Sequence, residues 1–171
     1  MKAGSKGFTL IELLVAMSIT ALVSGATMVA LSQIYGGTDK NNNLMTVANQ
    51  VETAGYWITR DAQRATDVTT DNLTAPNFIL FAWTEWDDDG EPTYYTATYA
   101  FNGSTLKRTY WSPSEGYKNM VVGHNLYYNP ADSDNSSKAE YISPVLTVRL
   151  TGVRDQARET REYRVKKRPD V

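Results

Sequence analysis

Few side chains in this sequence have the type and spacing that chemistry requires. His124 is the single histidine, the chain has no cysteine, and no G-x-S-x-G, H-E-x-x-H or phosphate-loop element accompanies it. Nucleophilic and metal-hydrolytic catalysis therefore lack their parts, and enzyme activity is not expected. Asp87, Asp88, Asp89 and Glu91, and separately Asp132 and Asp134 beside Asn135, offer the oxygen donors that hard cations prefer. Neither spacing follows a defined calcium loop, so solvated turns are expected, with no metal site and no cofactor. Arg161, Tyr163, Arg164, Lys166, Lys167 and Arg168 gather near the C-terminus, diluted by Glu159, Glu162 and Asp170. A polyanion would find its best hold there, but charge on an edge strand that blocks sheet-to-sheet pairing is the simpler account. One ionisable group stands apart. Glu12 is alone among apolar and hydroxyl side chains from Phe8 to Leu31.

That setting defines what Glu12 needs. An acid at the centre of a membrane helix costs on the order of 2.5 to 3.5 kcal/mol, and less near an end. A cationic partner would offset the cost. An α-amino group released by cleavage just before Phe8 would be largely protonated at neutral pH, and a neighbouring copy could present it to Glu12. The element that positions the acid is readable: about 24 residues at a rise of 1.5 Å reach roughly 36 Å, enough to cross a hydrocarbon core of about 30 Å. Lys2 and Lys6 precede the run and the next charges are Asp39 and Lys40, so the N-terminus is expected in the cytoplasm and the remainder outside. A secretory signal cut after Ala26, at Ser24-Gly25-Ala26, is the rival. Its apolar core would be longer than the usual 7 to about 15 residues, and it has no use for an acid.

Beyond the anchor, Gly36-Gly37 and Asn41-Asn42-Asn43 interrupt the helical pattern, and a kink or hinge is expected there. The period then returns: Leu44, Val47, Val51, Ala54, Ile58, Ala62 and Ala65 share one face, as an amphipathic helix docking on a sheet would arrange them. After Pro76 come strand-like runs at Phe78 to Trp86, Thr93 to Phe101, Leu106 to Trp111, Val145 to Thr151 and Glu159 to Val165. Asp87-Asp88-Asp89-Gly90 joins the first pair, and Asn102-Gly103 is a two-residue hairpin signal for the second. Ser112 to Ser143 reads as a long surface loop with little regular structure, and is the best candidate for a ligand-binding surface. Tyr94, Tyr95, Tyr99, Tyr110, Tyr127 and Tyr128 fit alternation in half-buried strands. Asn72, Asn102 and Asn135 begin N-x-S/T triplets.

Composition is consistent with this division. At 171 residues the chain suits one domain plus an extension. Its mean hydropathy of -0.42 averages an apolar start and a polar, tyrosine-rich remainder. A net charge of -2 gives no global field to hold nucleic acid.

The run Lys6-Gly7-Phe8-Thr9-Leu10-Ile11-Glu12-Leu13-Leu14-Val15-Ala16 resembles the type III signal of type IV pilins and type II secretion pseudopilins. The resemblance implies cleavage after Gly7 by a prepilin peptidase, N-methylation of Phe8, and assembly with other pilin or pseudopilin subunits through an inner-membrane assembly platform. Glu12 takes the place of the family's register-setting acid, with Phe8 as its assembly partner. It implies an α+β fold, with a long N-terminal helix whose second half packs on an antiparallel sheet, divided as leader 1–7, filament-core helix 8–31, amphipathic continuation 32–68 and head 69–171. Many major pilins carry a proline within the apolar stretch; here none precedes Pro76. Trp57 to Ala65, Leu106-Lys107-Arg108 and Arg168-Pro169 resemble J-type pseudopilins and W-type minor pilins. Retention of Glu12 separates the chain from the K-type tip subunit. The implied function is that of a structural subunit; a filament-tip binding module for DNA, a surface or a secreted substrate is the alternative.

Overall fold

Helical periodicity and strand alternation both appear in the computed structural model, which describes residues 7–71, 73–132 and 134–169. Lys2, Lys6, Asn72 and Asp170 lie outside the described residues. Helix α1 spans Leu10–Arg64. The expected interruption is not found: residues 36–43 are helical throughout. Two glycines cost about 1 kcal/mol each relative to alanine, too little to stop a helix already propagating at one hydrogen bond per residue.

The chain divides into two compact units, one ending at Asn41 and one beginning at Asn42. In the first, all described side chains are exposed, including Phe8, Leu10 and Ile11 at 75% or more, and the helix is long and apolar enough to cross a membrane. Three of its hydroxyls are satisfied within the helix: Ser18, Thr20 and Thr27 donate to the carbonyls of Leu14, Ala16 and Val23 at 2.8 to 2.9 Å. A segment meant for lipid must settle its polar groups internally.

In the second unit, Val47, Val51, Ala54, Ile58, Ala62 and Ala65 are fully buried, the stripe that the spacing predicts. Against it lie two antiparallel sheets. The larger contains β1 (Asp67–Thr69), β2 (Asn77–Trp86), β3 (Pro92–Asn102), β4 (Thr105–Ser112) and β5 (Gly116–Gly123) in sequence order; the smaller contains β6 (Lys138–Ile142), β7 (Val145–Arg154) and β8 (Ala157–Lys166). The core draws alternate residues from both, among them Ile79, Phe81, Tyr99, Leu106, Leu146, Val148 and Leu150.

Two expectations need correction. The stretch from Ser112 to Ser143 is not a single irregular loop, because it holds β5 and β6. Strand β5 follows β4 through a short turn in which Gly116 has φ 68° and Ser112 Oγ accepts from the Glu115 N–H. Its exposed, Lys- and Asn-bearing residues hide the alternation of an edge strand. The second hairpin is displaced by one residue: Asn102 pairs with Thr105, leaving Gly103-Ser104 as the turn, with φ 58° at Gly103. A glycine at the first loop position is the pattern of a type II′ turn.

The smaller sheet closes on the helix end. Tyr163 Oη donates to the Val51 carbonyl at 3.1 Å, and its ring occupies the space a Cβ at Gly55 would need. Arg168 N donates to the Ala65 carbonyl at 3.2 Å and Lys167 Nζ to that of Thr66 at 2.7 Å. A backbone N–H and a lysine ammonium thus satisfy carbonyls at the helix C-terminus, where the positive Lys167 side chain is favoured.

Candidate functional site

At the N-terminus, Gly7, Phe8 and Thr9 precede the helix and Glu12 lies in its first turn. Phe8 is 89% exposed. Among the described residues, a Cβ at Gly7 would meet nothing within 4 Å. The fold itself therefore does not require glycine there. Glu12 is not idle: its Oε2 accepts from the Thr9 N–H and from Thr9 Oγ1, both at 2.9 Å, while Thr9 Oγ1 accepts from the Glu12 N–H at 3.3 Å. This is a capping box, in which two backbone N–H groups left without helical partners are satisfied reciprocally. The T-x-x-E spacing before an apolar run announces it in the sequence, and the role of Thr9 is the one that reading for chemistry alone overlooks. Along the same helix Ala16, Thr20, Ala21 and Ser24, flanked by Leu13 and Met17, form a shallow open groove.

In the head, polar chemistry concentrates at Asp61, a helix residue 1% exposed. Arg108 on β4 meets it with both arms, Nε to Oδ2 at 2.6 Å and Nη2 to Oδ1 at 2.9 Å, and Tyr99 Oη on β3 donates to Oδ2 at 2.6 Å. The guanidinium lies between the rings of Trp57 and Tyr110, 5.3 and 5.0 Å from their centroids. Burial pushes the Tyr99 hydroxyl well above the usual phenol range, and the adjacent Asp61 charge adds to it. Burial works against the Arg108 cation, but the hydrogen bond and charge of Asp61 outweigh it and hold its pKa above the ordinary value. The triad is closed from solvent and fully paired, a clamp between helix and sheet rather than a reacting site.

The other candidates resolve into structure. Asp87 Oδ1 accepts from the N–H groups of Asp89 and Glu91 at 3.1 and 2.7 Å, fixing the hairpin tip. Asp132 is held in its loop: burial alone would raise its pKa, but the Asn135 N–H at 3.1 Å and the Tyr127 hydroxyl at 3.1 Å bring it below the usual carboxylate value. Among the described residues no group of three or more His, Asp or Glu is arranged to hold a metal ion. His124 is exposed; its N–H donates to Gln50 Oε1 at 2.8 Å. In the basic terminus Arg161 is engaged by Glu159 and Glu52, at 3.0 and 3.4 Å. A cavity of about 250 Å³ lies beside Phe78, Tyr128, Asp132 and Lys138, with the buried Thr70 Oγ1 on its wall.

The first half of the helix is apolar, exposed and long enough to cross a membrane, and its second half packs against antiparallel sheets, an α+β arrangement. Residues 2–28 match the family model for the prokaryotic N-terminal methylation motif, the signature of type IV pilin and pseudopilin precursors. Such precursors are structural proteins that assemble with other pilin subunits after processing by a prepilin peptidase. No curated protein and no solved structure is significantly similar to this chain.

Proposed function

We propose that this chain is a non-catalytic minor subunit of a type IV pilus or of a type II secretion pseudopilus. It enters the inner membrane as a single-pass prepilin with the head outside, is cut after Gly7 and N-methylated at Phe8, and polymerises through its N-terminal helix. The leader is 1–7, the filament-core helix 8–31, its amphipathic continuation 32–68 and the head 69–171. The observation that carries this reading is the apolar helix surface from Phe8 to Leu31, exposed along its length and interrupted by one acid. Sister helices would cover it, and the groove at Ala16, Thr20, Ala21 and Ser24 would admit close approach. Glu12 then meets the Phe8 amine of a neighbouring subunit and sets register.

Mass spectrometry of the mature N-terminus tests the reading, with N-methylated Phe8 as the expected first residue. A mature chain beginning at Thr27 would defeat it.

A further inference from the structure

We propose that the outward face of the five-stranded sheet is a binding surface for an uncharged, hydroxyl-rich polysaccharide. The inference goes beyond the assembly role and rests on what the strands place side by side. In an antiparallel sheet, alternate residues face away from the core. The pairing register sets Ala82, Thr96, Trp111 and Tyr117 in one row across β2 to β5, Leu80, Thr98, Thr109 and Asn119 in the next, and Thr84 beside Tyr94 on the other side. None of these side chains is buried, although their neighbours Phe81, Ala97 and Tyr99 are fully so. Trp86, Tyr94 and Tyr117 are 68%, 61% and 74% exposed, and the Trp111 and Tyr117 rings lie 6.4 Å apart at 49°.

The chemistry of this face selects its ligand. Among the described residues, the outward positions of β2 to β5 carry one charge, Lys107, and Asp67 lies at the β1 margin. A solvated face would ordinarily bear mixed charges. The hairpin acids Asp87, Asp88 and Asp89 border the Trp86 end and would repel nucleic acid or an acidic polysaccharide. Between the rings stand threonines and an asparagine in place of the large apolar centre that a protein interface uses. Exposed aromatic faces offer a negative π surface to the C–H groups of a sugar ring. Hydroxyls at every second residue can exchange hydrogen bonds with its hydroxyls, and Asn119, whose Oδ1 accepts from Thr109 Oγ1 at 2.7 Å, has its amide oriented by that bond.

Affinity electrophoresis of the full chain in a polyoxyethylene detergent tests this; a sugar-headed detergent would compete. The gels contain hydroxyethylcellulose, glycol chitin or dextran as neutral probes and alginate as the anionic one. Retardation by at least one neutral polymer is expected, weakened about five-fold by Trp111→Ala or Tyr117→Ala and unchanged by Tyr56→Ala, an exposed ring on the helix. Far-ultraviolet circular dichroism checks that each variant is folded, and Tyr117→Ala suffices if Trp111→Ala is not. Absence of retardation in all three neutral gels, stronger retention by alginate, or equal losses from Tyr56→Ala would overturn the proposal. So would self-association that Tyr117→Ala abolishes, which would make the face a contact between copies. None of these results bears on the mature N-terminus, so the assembly reading is tested separately.

Discussion

Replacing Arg108 by Met is the sharpest probe of what fastens the helix to the sheet. The substitution keeps the stem packed between Trp57 and Tyr110 but removes the guanidinium that meets Asp61 at 2.6 and 2.9 Å. Asp61 and Arg108 side chains are 1% and 12% exposed, so water cannot replace the lost partner. Breaking a buried pair from one side costs about 3 to 5 kcal/mol. The Tyr99 hydroxyl stays on Oδ2 and keeps the expected loss near the lower bound, about 3 kcal/mol. For a domain of this size that lowers the melting temperature by about 10 °C, readable by fluorescence because all four tryptophans, Trp57 on the helix and Trp83, Trp86 and Trp111 in the head, lie in the second compact unit. Adding Asp61→Asn should recover part of the loss, since the uncompensated charge is gone, with a coupling energy of about 2 kcal/mol in the double-mutant cycle. Arg108→Lys, which keeps the charge and loses the two-armed geometry, should fall between. A loss under about 1 kcal/mol for Arg108→Met, or strict additivity with Asp61→Asn, would refute the view that this pair clamps the head.

Three further outcomes follow from the same geometry. Because the folded state holds Tyr99 protonated above its ordinary range, its contribution is complete below about pH 10 and lost as pH rises beyond that; melting temperature against pH should fall steeply there, and Tyr99→Phe should flatten the fall while costing about 1 to 2 kcal/mol at pH 7. Gly55→Ala should destabilise the head by about 1 to 3 kcal/mol, because the new methyl displaces Tyr163 and its bond to the Val51 carbonyl; Tyr163→Leu in the same chain should recover part of it, and an unchanged melt for Gly55→Ala would contradict the packing. On the assembly reading, Glu12→Ala should leave membrane insertion intact and impair incorporation into filaments, which immunoblotting of sheared filaments against membranes would measure.

The long helix and its buried stripe were legible because period 3.6 needs no knowledge of what lies opposite, and β2, β3, β4, β7 and β8 because alternation is equally local. Strand β5 was not, since an edge strand bearing Lys118 and Asn119 carries no such pattern. Asp61 sits three residues after Ile58 and one before Ala62, within the buried face, so an acid there signals a buried partner; nothing in the sequence names that partner as Arg108, 47 positions on. Two of the three short segments named for the subfamily resemblance, Trp57 to Ala65 and Leu106 to Arg108, meet through the Asp61–Arg108 pair. Gly36 and Gly37 look like breakers in isolation, but the propagating hydrogen bonds on either side carry the helix through them.

The capping box at Thr9 has a consequence for the economy of assembly. The acid that would mark a lone subunit as unfinished already has an occupant, the first turn of its own helix. On the assembly reading, joining a neighbour would be an exchange of one set of donors for another rather than the quenching of a bare charge. The net gain from that single contact is correspondingly small. On that reading a subunit in the bilayer would carry a reduced penalty at Glu12, whose carboxylate is already hydrogen-bonded, and close packing of the helix surface, not the acid, would supply most of the drive to assemble. What the acid supplies is position: among many sliding arrangements of similar apolar area, one lets the carboxylate change hands.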